Sequence, residues 1–212
     1  MKIIVIGAGA MGCLYGAYLS KHNNVTMLDV YEPQVENINQ NGITVLEEDG
    51  TEQHFSNIRA MKSGTCKEVA DLVIVFVKST HTESSLEENK ELFGENTLVM
   101  TLQNGAGNDR KIAKYVKTEN IIIGTSKHNS VNLGGGKIRH SGNGVTTIGS
   151  NLEENVHLQT GADLLSEAGF QSAVSDDIQR IIWSKLFVNL SINTFTAITE
   201  TPIAYMIENQ YA

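Results

Sequence analysis

The sequence is poor in cysteine and in basic side chains, and both shortages narrow its chemistry. Cys13 and Cys66 are the two cysteines in 212 residues and form no C-x-x-C pair, which excludes a disulfide scaffold and points to a reducing compartment, the cytoplasm. Lysine and arginine total 16 against 24 aspartates and glutamates, for a formal charge of −8. That balance leaves no electrostatic footprint for nucleic acid or an anionic membrane surface, so small molecules are the expected partners. The six histidines, His22, His54, His81, His128, His140 and His157, stand singly without ligand spacing. Surface or hydrogen-bonded histidines are expected, and no metal. The chain shows no internal repeat and no low-complexity tract, and no stretch is expected to have the length and uniform apolarity of a membrane span.

What is present begins with IIVIGAGAMGCLYGAYL, residues 3 to 19, a run without a charge. A secretory leader would also be apolar here, but the glycines argue for something else. Gly7, Gly9 and Gly12 form G-x-G-x-x-G directly after Ile3, Ile4, Val5 and Ile6, and a helix-compatible stretch from Ala10 to Ser20 follows. In that pattern the first glycine permits a tight turn, the second lets backbone approach a pyrophosphate, and the third lets helix and strand pack closely. The helix N-terminus presents free N–H groups to the phosphates. A second strand, VTMLD, ends at Asp29, about 20 residues downstream, where a dinucleotide fold places an acid for the ribose. The expected cofactor-binding residues are therefore Gly7, Ala8, Gly9, Ala10, Met11, Gly12 and Asp29.

The remainder alternates strand and helix. PQVENINQNG reads as a short helix stopped by Gly42, and ITVLEEDGTEQHF as a hairpin turning at Asp49 and Gly50. ADLVIVFVKST and NTLVMTLQNGAG hold apolar strands of the kind buried on both faces of a parallel sheet, with ESSLEENKELFGE as a helix between them. A helix around DRKIAKYV and the strand NIIIGTS follow. GGGKIRHSGNGVTTIG, from Gly134 to Gly149, reads as a strand pair closing the sheet edge, and a helix from His157 to Ala168 with the short strand FQSAV completes the unit. This is an α/β pattern, a doubly wound and mostly parallel Rossmann-type sheet. From Asp176 a long helix with an aspartate N-cap begins, apolar over most of its circumference. Residues 1–175 are thus expected to bind the dinucleotide, and 176–212 to start an incomplete helical substrate and dimerisation domain.

Ligands of an open parallel sheet bind beyond the carboxyl ends of its strands. Lys78 follows LVIVFV and Asn104 follows LVMTL, so both share that rim with the glycine turn and Asp29. Each has a plainer reading, a strand-end charge and an Asn-Gly turn. In the long helix Lys185, Asn189 and Asn193 are four residues apart and form one polar stripe. Asparagine is a poor interior helix residue, which favours a stripe facing a polar cleft.

At this point the chain resembles the ketopantoate reductase family, the 2-dehydropantoate 2-reductases. GAGAMG, VKS around Lys78, LQNGAG around Asn104, GGGKIRHSGNGVTTIG and WSKLFVNLSIN carry the resemblance in order along the chain. It implies hydride transfer from a nicotinamide cofactor to a branched 2-oxo acid, ketopantoate giving pantoate. By resemblance Lys185 stands in the place of the catalytic lysine. Asn104 and Lys78 stand in the places of groups near nicotinamide and substrate, and Asn189 and Asn193 in those of substrate-binding asparagines. Two departures are visible. Relatives continue with helices that give the substrate a serine and a glutamate, which this chain lacks. Many also use NADPH and carry an arginine just after the second strand, where this chain has Val30 preceded by Asp29. NAD(H) is therefore expected over NADP(H). The alternatives are an NAD-dependent D-2-hydroxyacid dehydrogenase of the mandelate type and a non-catalytic dinucleotide-binding module. The apolar long helix is expected to mediate homo-oligomerisation.

Overall fold

The structure is a computed structural model that describes residues 1–209. It opens with β1 (Lys2–Ile6), α1 (Ala10–Leu19), β2 (Asn24–Asp29) and α2 (Glu32–Asn41), the alternation the glycine turn implies. The hairpin β3 (Ile43–Leu46) and β4 (Glu52–Phe55) follows, then β5 (Arg59–Lys62), β6 (Leu72–Val75), α3 (Thr82–Glu88), β7 (Leu98–Thr101) and α4 (Asn108–Ile112). The second half contains β8 (Ile121–Ser126), β9 (Asn129–Gly134), β10 (Lys137–Gly142), β11 (Thr146–Gly149), α5 (His157–Glu167), β12 (Ser172–Val174), α6 (Ile178–Thr199) and α7 (Ile203–Glu208).

The larger sheet has the order β12-β11-β8-β7-β6-β1-β2-β5. Every pairing from β5 to β8 is parallel, whereas β11 joins β8 antiparallel and carries β12 beside it. Its central strands are rich in Ile, Val and Leu because both faces are covered, and β6, β7 and β8 are buried throughout. The chain winds from β1 outward to β5 and then crosses to the other side of β1 at β6. That reversal opens a crevice at the carboxyl ends of β1 and β6.

The smaller sheet has the order β4-β3-β10-β9. It lies over α1, which packs against β1 and β2 on one side and β3, β9 and β10 on the other. A helix enclosed in this way needs no polar stripe, which explains why every residue from Gly12 to Leu19 is buried.

The structure corrects several expectations. The segment from Gly134 to Gly149 is not one strand pair at the sheet edge. Its first half, β10, pairs with β9 and β3 in the small sheet, while β11 belongs to the large one. The alternation in KIRH explains the split, since Ile138 and His140 are buried and Arg139 is exposed, the pattern of a one-sided strand. β5 and β9 lie where no strand was expected, because RAMK is short and charged and NSVNLG is polar and largely exposed. α4 is shorter than DRKIAKYV, and α3 yields to a 3₁₀ turn at Lys90–Leu92. α6 begins as expected, with the Asp177 carboxylate accepting the Arg180 N–H at 3.1 Å. By length and composition alone α6 is apolar enough to cross a membrane, contrary to the expectation that no stretch reaches that measure. It nevertheless carries Arg180 and Lys185 and packs against β8 and β11.

Candidate functional site

The glycine turn is built by three different constraints. Gly7 has φ +103°, and a Cβ there would lie 2.9 Å from the Val77 nitrogen. A Cβ on Gly12 would lie 1.9 Å from the Gly7 carbonyl oxygen, while one on Gly9 would meet nothing within 4 Å. Gly7 and Gly12 are therefore required by the fold itself, whereas Gly9 faces open space with an ordinary φ of −73°. No side chain caps α1, so its first N–H groups stay free for an anion. The Asp29 carboxylate accepts the Ala8 N–H at 2.7 Å and the Tyr31 N–H at 2.9 Å, one bond per oxygen, which ties the turn to the end of β2.

Beside it lies a cavity of about 560 Å³ lined by Gly9, Asp29, Tyr31, Gln34, Asn132 and Gly135, among others. Sequence reasoning missed Gln34, which donates to the Ala8 carbonyl at 3.1 Å, and the β9–β10 turn. The available signal for that turn was the triple glycine Gly134 to Gly136, all at positive φ. Among the described residues, no lysine or arginine lines this cavity. Lys62 does stand in register with Asp29, but Glu32 pairs with it at 2.5 Å.

A second cleft of about 490 Å³ unites Lys78, Asn104 and Lys185 with Met11, Ser126 and His128. Three separate elements deliver these groups: the loop after β6, the loop after β7, and α6. The two loops are joined by Gln103, whose Nε2 donates to the Val77 carbonyl at 2.5 Å and the Thr82 hydroxyl at 3.0 Å. Lys185 reaches back from α6, its Nζ donating to the Ser126 carbonyl at 2.8 Å. Burial lowers its pKa from the ordinary lysine value. Ser126 is itself fixed, because its hydroxyl accepts from the Tyr15 phenol at 2.9 Å and from the His128 N–H at 3.0 Å. Asn189 and Asn193 lie farther along α6 and do not line this cleft. Asn189 is half-buried and Asn193 exposed.

Residues 3–153 match the family model "Ketopantoate reductase PanE/ApbA". The chain belongs to the ketopantoate reductase family. It is 31% identical to the 2-dehydropantoate 2-reductase of Halobacterium salinarum, over 98% of this chain and 69% of that protein. It is 32% identical to the Lactococcus lactis protein of the same name, over 100% of this chain and 69% of that one. Among solved structures, D-mandelate dehydrogenase with NADH and anilino(oxo)acetate matches with a TM-score of 0.92 at 28% identity, over 99% of this chain and 68% of that chain. The 2-dehydropantoate 2-reductase of Geobacter metallireducens matches with a TM-score of 0.90 at 27% identity, over 100% of this chain and 70% of that chain. As a member of the ketopantoate reductase family the chain is an oxidoreductase of the 2-dehydropantoate 2-reductase type, with a nicotinamide cofactor and a 2-oxo acid substrate. The open space at Gly9 and the uncapped start of α1 fit such a cofactor.

Proposed function

We propose that the cleft holding Lys78, Asn104 and Lys185 is where this chain reduces its 2-oxo acid, ketopantoate, and that NADH is preferred over NADPH. The observation that carries the reading is the convergence of those three side chains beside the glycine turn. The bound reduced nicotinamide supplies the hydride. Lys185 protonates the carbonyl oxygen as negative charge develops on it, and the Ser126 carbonyl holds the ammonium in the cleft. Asn104 and Lys78 bind the reacting groups. Asn189 and Asn193, on the Lys185 face of α6 but beyond the cleft's lining, bind polar atoms of the substrate that extend past that lining. On this reading residues 1–175 bind the cofactor, and the helices from residue 176 serve the substrate side.

The cofactor preference rests on the Asp29 carboxylate, which repels a ribose 2′-phosphate, and on the absence of lysine or arginine around its cavity. The same acid and the likeness to D-mandelate dehydrogenase favour a second substrate reading, a 2-oxo acid with a bulkier group such as benzoylformate. Titration with NADH and NADPH, followed by turnover assays with ketopantoate and benzoylformate, separates these readings. Equal affinity for both dinucleotides overturns the preference, and NADH binding without turnover identifies a binding module.

We also propose that the chain self-associates through α6. Trp183, Phe187, Val188, Leu190 and Ile198 of that helix are each between 47% and 77% exposed, and contiguous apolar surface of that kind marks an interface.

A further inference from the structure

Lys78 and Asn104 stand on neighbouring loops beyond the carboxyl ends of β6 and β7, and both residues are exposed. Side-chain packing does little to steady the Asn104 loop. Gly105 and Gly107 sit at φ +96° and +85°, and a Cβ on either would meet nothing within 4 Å. What holds the two loops is a set of hydrogen bonds that runs between them.

Lys78 is flanked by Val77 and Ser79, and the carbonyl of each accepts a bond from the chain around Asn104. Gln103 Nε2 donates to the Val77 carbonyl at 2.5 Å, and Lys111 Nζ, from α4, donates to the Ser79 carbonyl at 2.7 Å. The Val77 carbonyl only accepts, which fixes the orientation of the Gln103 amide. The second amide hydrogen goes to the Thr82 hydroxyl at 3.0 Å, and the amide oxygen accepts the Thr101 hydroxyl at 2.9 Å. Thr82 carries the line onward by donating to Asn108 Oδ1 at 3.3 Å. Gln103 and Asn108 bracket residues 104–107, so the Asn104 loop is pinned at both ends through Thr82, a fully buried residue at the start of α3. Gln103 borders the cleft, yet both its amide hydrogens and its oxygen are engaged within the protein. It therefore acts through its neighbours and not on the cleft's occupant.

Resting on the assignment of the cleft above, we propose that Gln103 and Lys111 are positioning residues, a two-point clamp that fixes Lys78 against Asn104 so that both meet the 2-oxo acid in one geometry. Two exposed side chains on separate loops hold a small molecule well only if their separation is set in advance, because ordering them at the moment of binding costs affinity. The Lys111 bond is charge-assisted and among the stronger of its kind. It reaches the Ser79 carbonyl from a helix, so the Lys78 loop is anchored to a regular element.

Backbone ¹⁵N relaxation of the ligand-free chain tests the clamp itself. The amides of Lys78, Gly105 and Ala106 should have order parameters near the rigid value of about 0.85, and Lys111→Met and Gln103→Met should each lower them below about 0.6, while Gly9 and Ala10 keep theirs. Lys111→Arg, which retains a donor, should restore the rigid values. Ketopantoate binding to the NAD⁺-saturated chain, where no hydride can transfer, tests the consequence. Lys111→Met should weaken ketopantoate about tenfold, as for one lost hydrogen bond. In a Lys78→Ala background the same change should add no more than about twofold, because the residue it positions is gone. A lysine with a merely structural role would cost the same in both backgrounds. Equal losses in the two backgrounds, or order parameters unmoved by both methionine variants, overturn the proposal. A wild-type chain that does not bind ketopantoate, or that binds it no better than Lys78→Ala does, overturns the assignment of the cleft, and this inference with it.

Discussion

Gly9 and Gly12 differ by three positions and by what an added carbon would strike. Gly9→Val has room and a permissible φ, so the variant should fold with a native circular dichroism spectrum and lose NADH affinity, because the side chain occupies the space a pyrophosphate needs. Gly12→Ala drives a methyl into the Gly7 carbonyl and should lower the melting temperature markedly. A Gly9→Val protein that still binds NADH would refute the first expectation. Lys185→Ala should cut turnover about 10²- to 10⁴-fold, the usual worth of general acid catalysis, with the NADH dissociation constant nearly unchanged. In its proposed role the lysine acts in its protonated form, and burial lowers its pKa, so the wild-type rate should fall as pH rises through a value below the ordinary lysine range. His128 gives a stability signature instead. Burial, reinforced by His140, holds its folded pKa at about 4, below the 6.5 of a free imidazole, so the unfolded chain binds the extra proton between those values. The contribution, roughly 3 kcal/mol, is complete above pH 6.5 and lost as pH falls to about 4. Urea unfolding across that window should show a slope that His128→Gln flattens. Lys78, Asn104 and Lys185 were legible in the sequence because strand ends and helical spacing carry positional meaning. The His128–His140 pair, Nδ1 to Nε2 at 3.0 Å, was not, since residues 12 apart meet only through the β9–β10 hairpin, and neither histidine looks unusual alone.

At the scale of elements, legibility followed the strength of the periodic signal. LVIVFV, LVMTL and NIIIGTS are apolar runs that have no stable place except a buried strand, and each lies where its sequence put it. β5 was hidden because RAMK offers too little apolar surface to announce itself, and it is held at the sheet edge by its backbone pairing with β2 and by the Arg59 Nε–H donated to the Thr26 hydroxyl. β10 was seen as a strand but assigned to the wrong sheet, because the partner of a strand depends on topology and one-sided alternation alone does not reveal it. The capped start of α6 was readable from Asp176 and Asp177. Asp177→Ala removes the one side-chain cap on that helix and should cost about 1 kcal/mol, measured as a lower urea midpoint with unchanged m-value. The orientation of α6 was only partly readable. Lys185 lines the cleft while Asn189 and Asn193 lie beyond its lining, because equal helical spacing puts residues on one face without fixing how much of that face borders a cavity.

For the molecule as a whole, a bound dinucleotide should act as a stabiliser. At a ligand concentration 100-fold above the dissociation constant the gain is about 2.7 kcal/mol, so NADH should raise the melting temperature more than NADPH at equal concentration. Light scattering should find particles larger than a monomer, reduced when Phe187 and Leu190 are replaced by charged residues. A monodisperse monomer with its apolar α6 face intact would end that proposal.

The small sheet has a consequence for how far such a protein can be pared down. A nucleotide-binding half is often pictured as a sheet with helices outside it, but α1 here is an interior layer, roofed by β3, β9 and β10 and without a single charged residue to meet water. The phosphate recognition proposed at the start of α1 therefore depends on a hairpin supplied more than a hundred residues later. A fragment ending after β7 would keep the glycine turn, Asp29 and β3 yet strip β9 and β10 from α1, and it should aggregate rather than bind NADH. The minimal unit for this cofactor is set by what shelters its helix, not by where its motif ends.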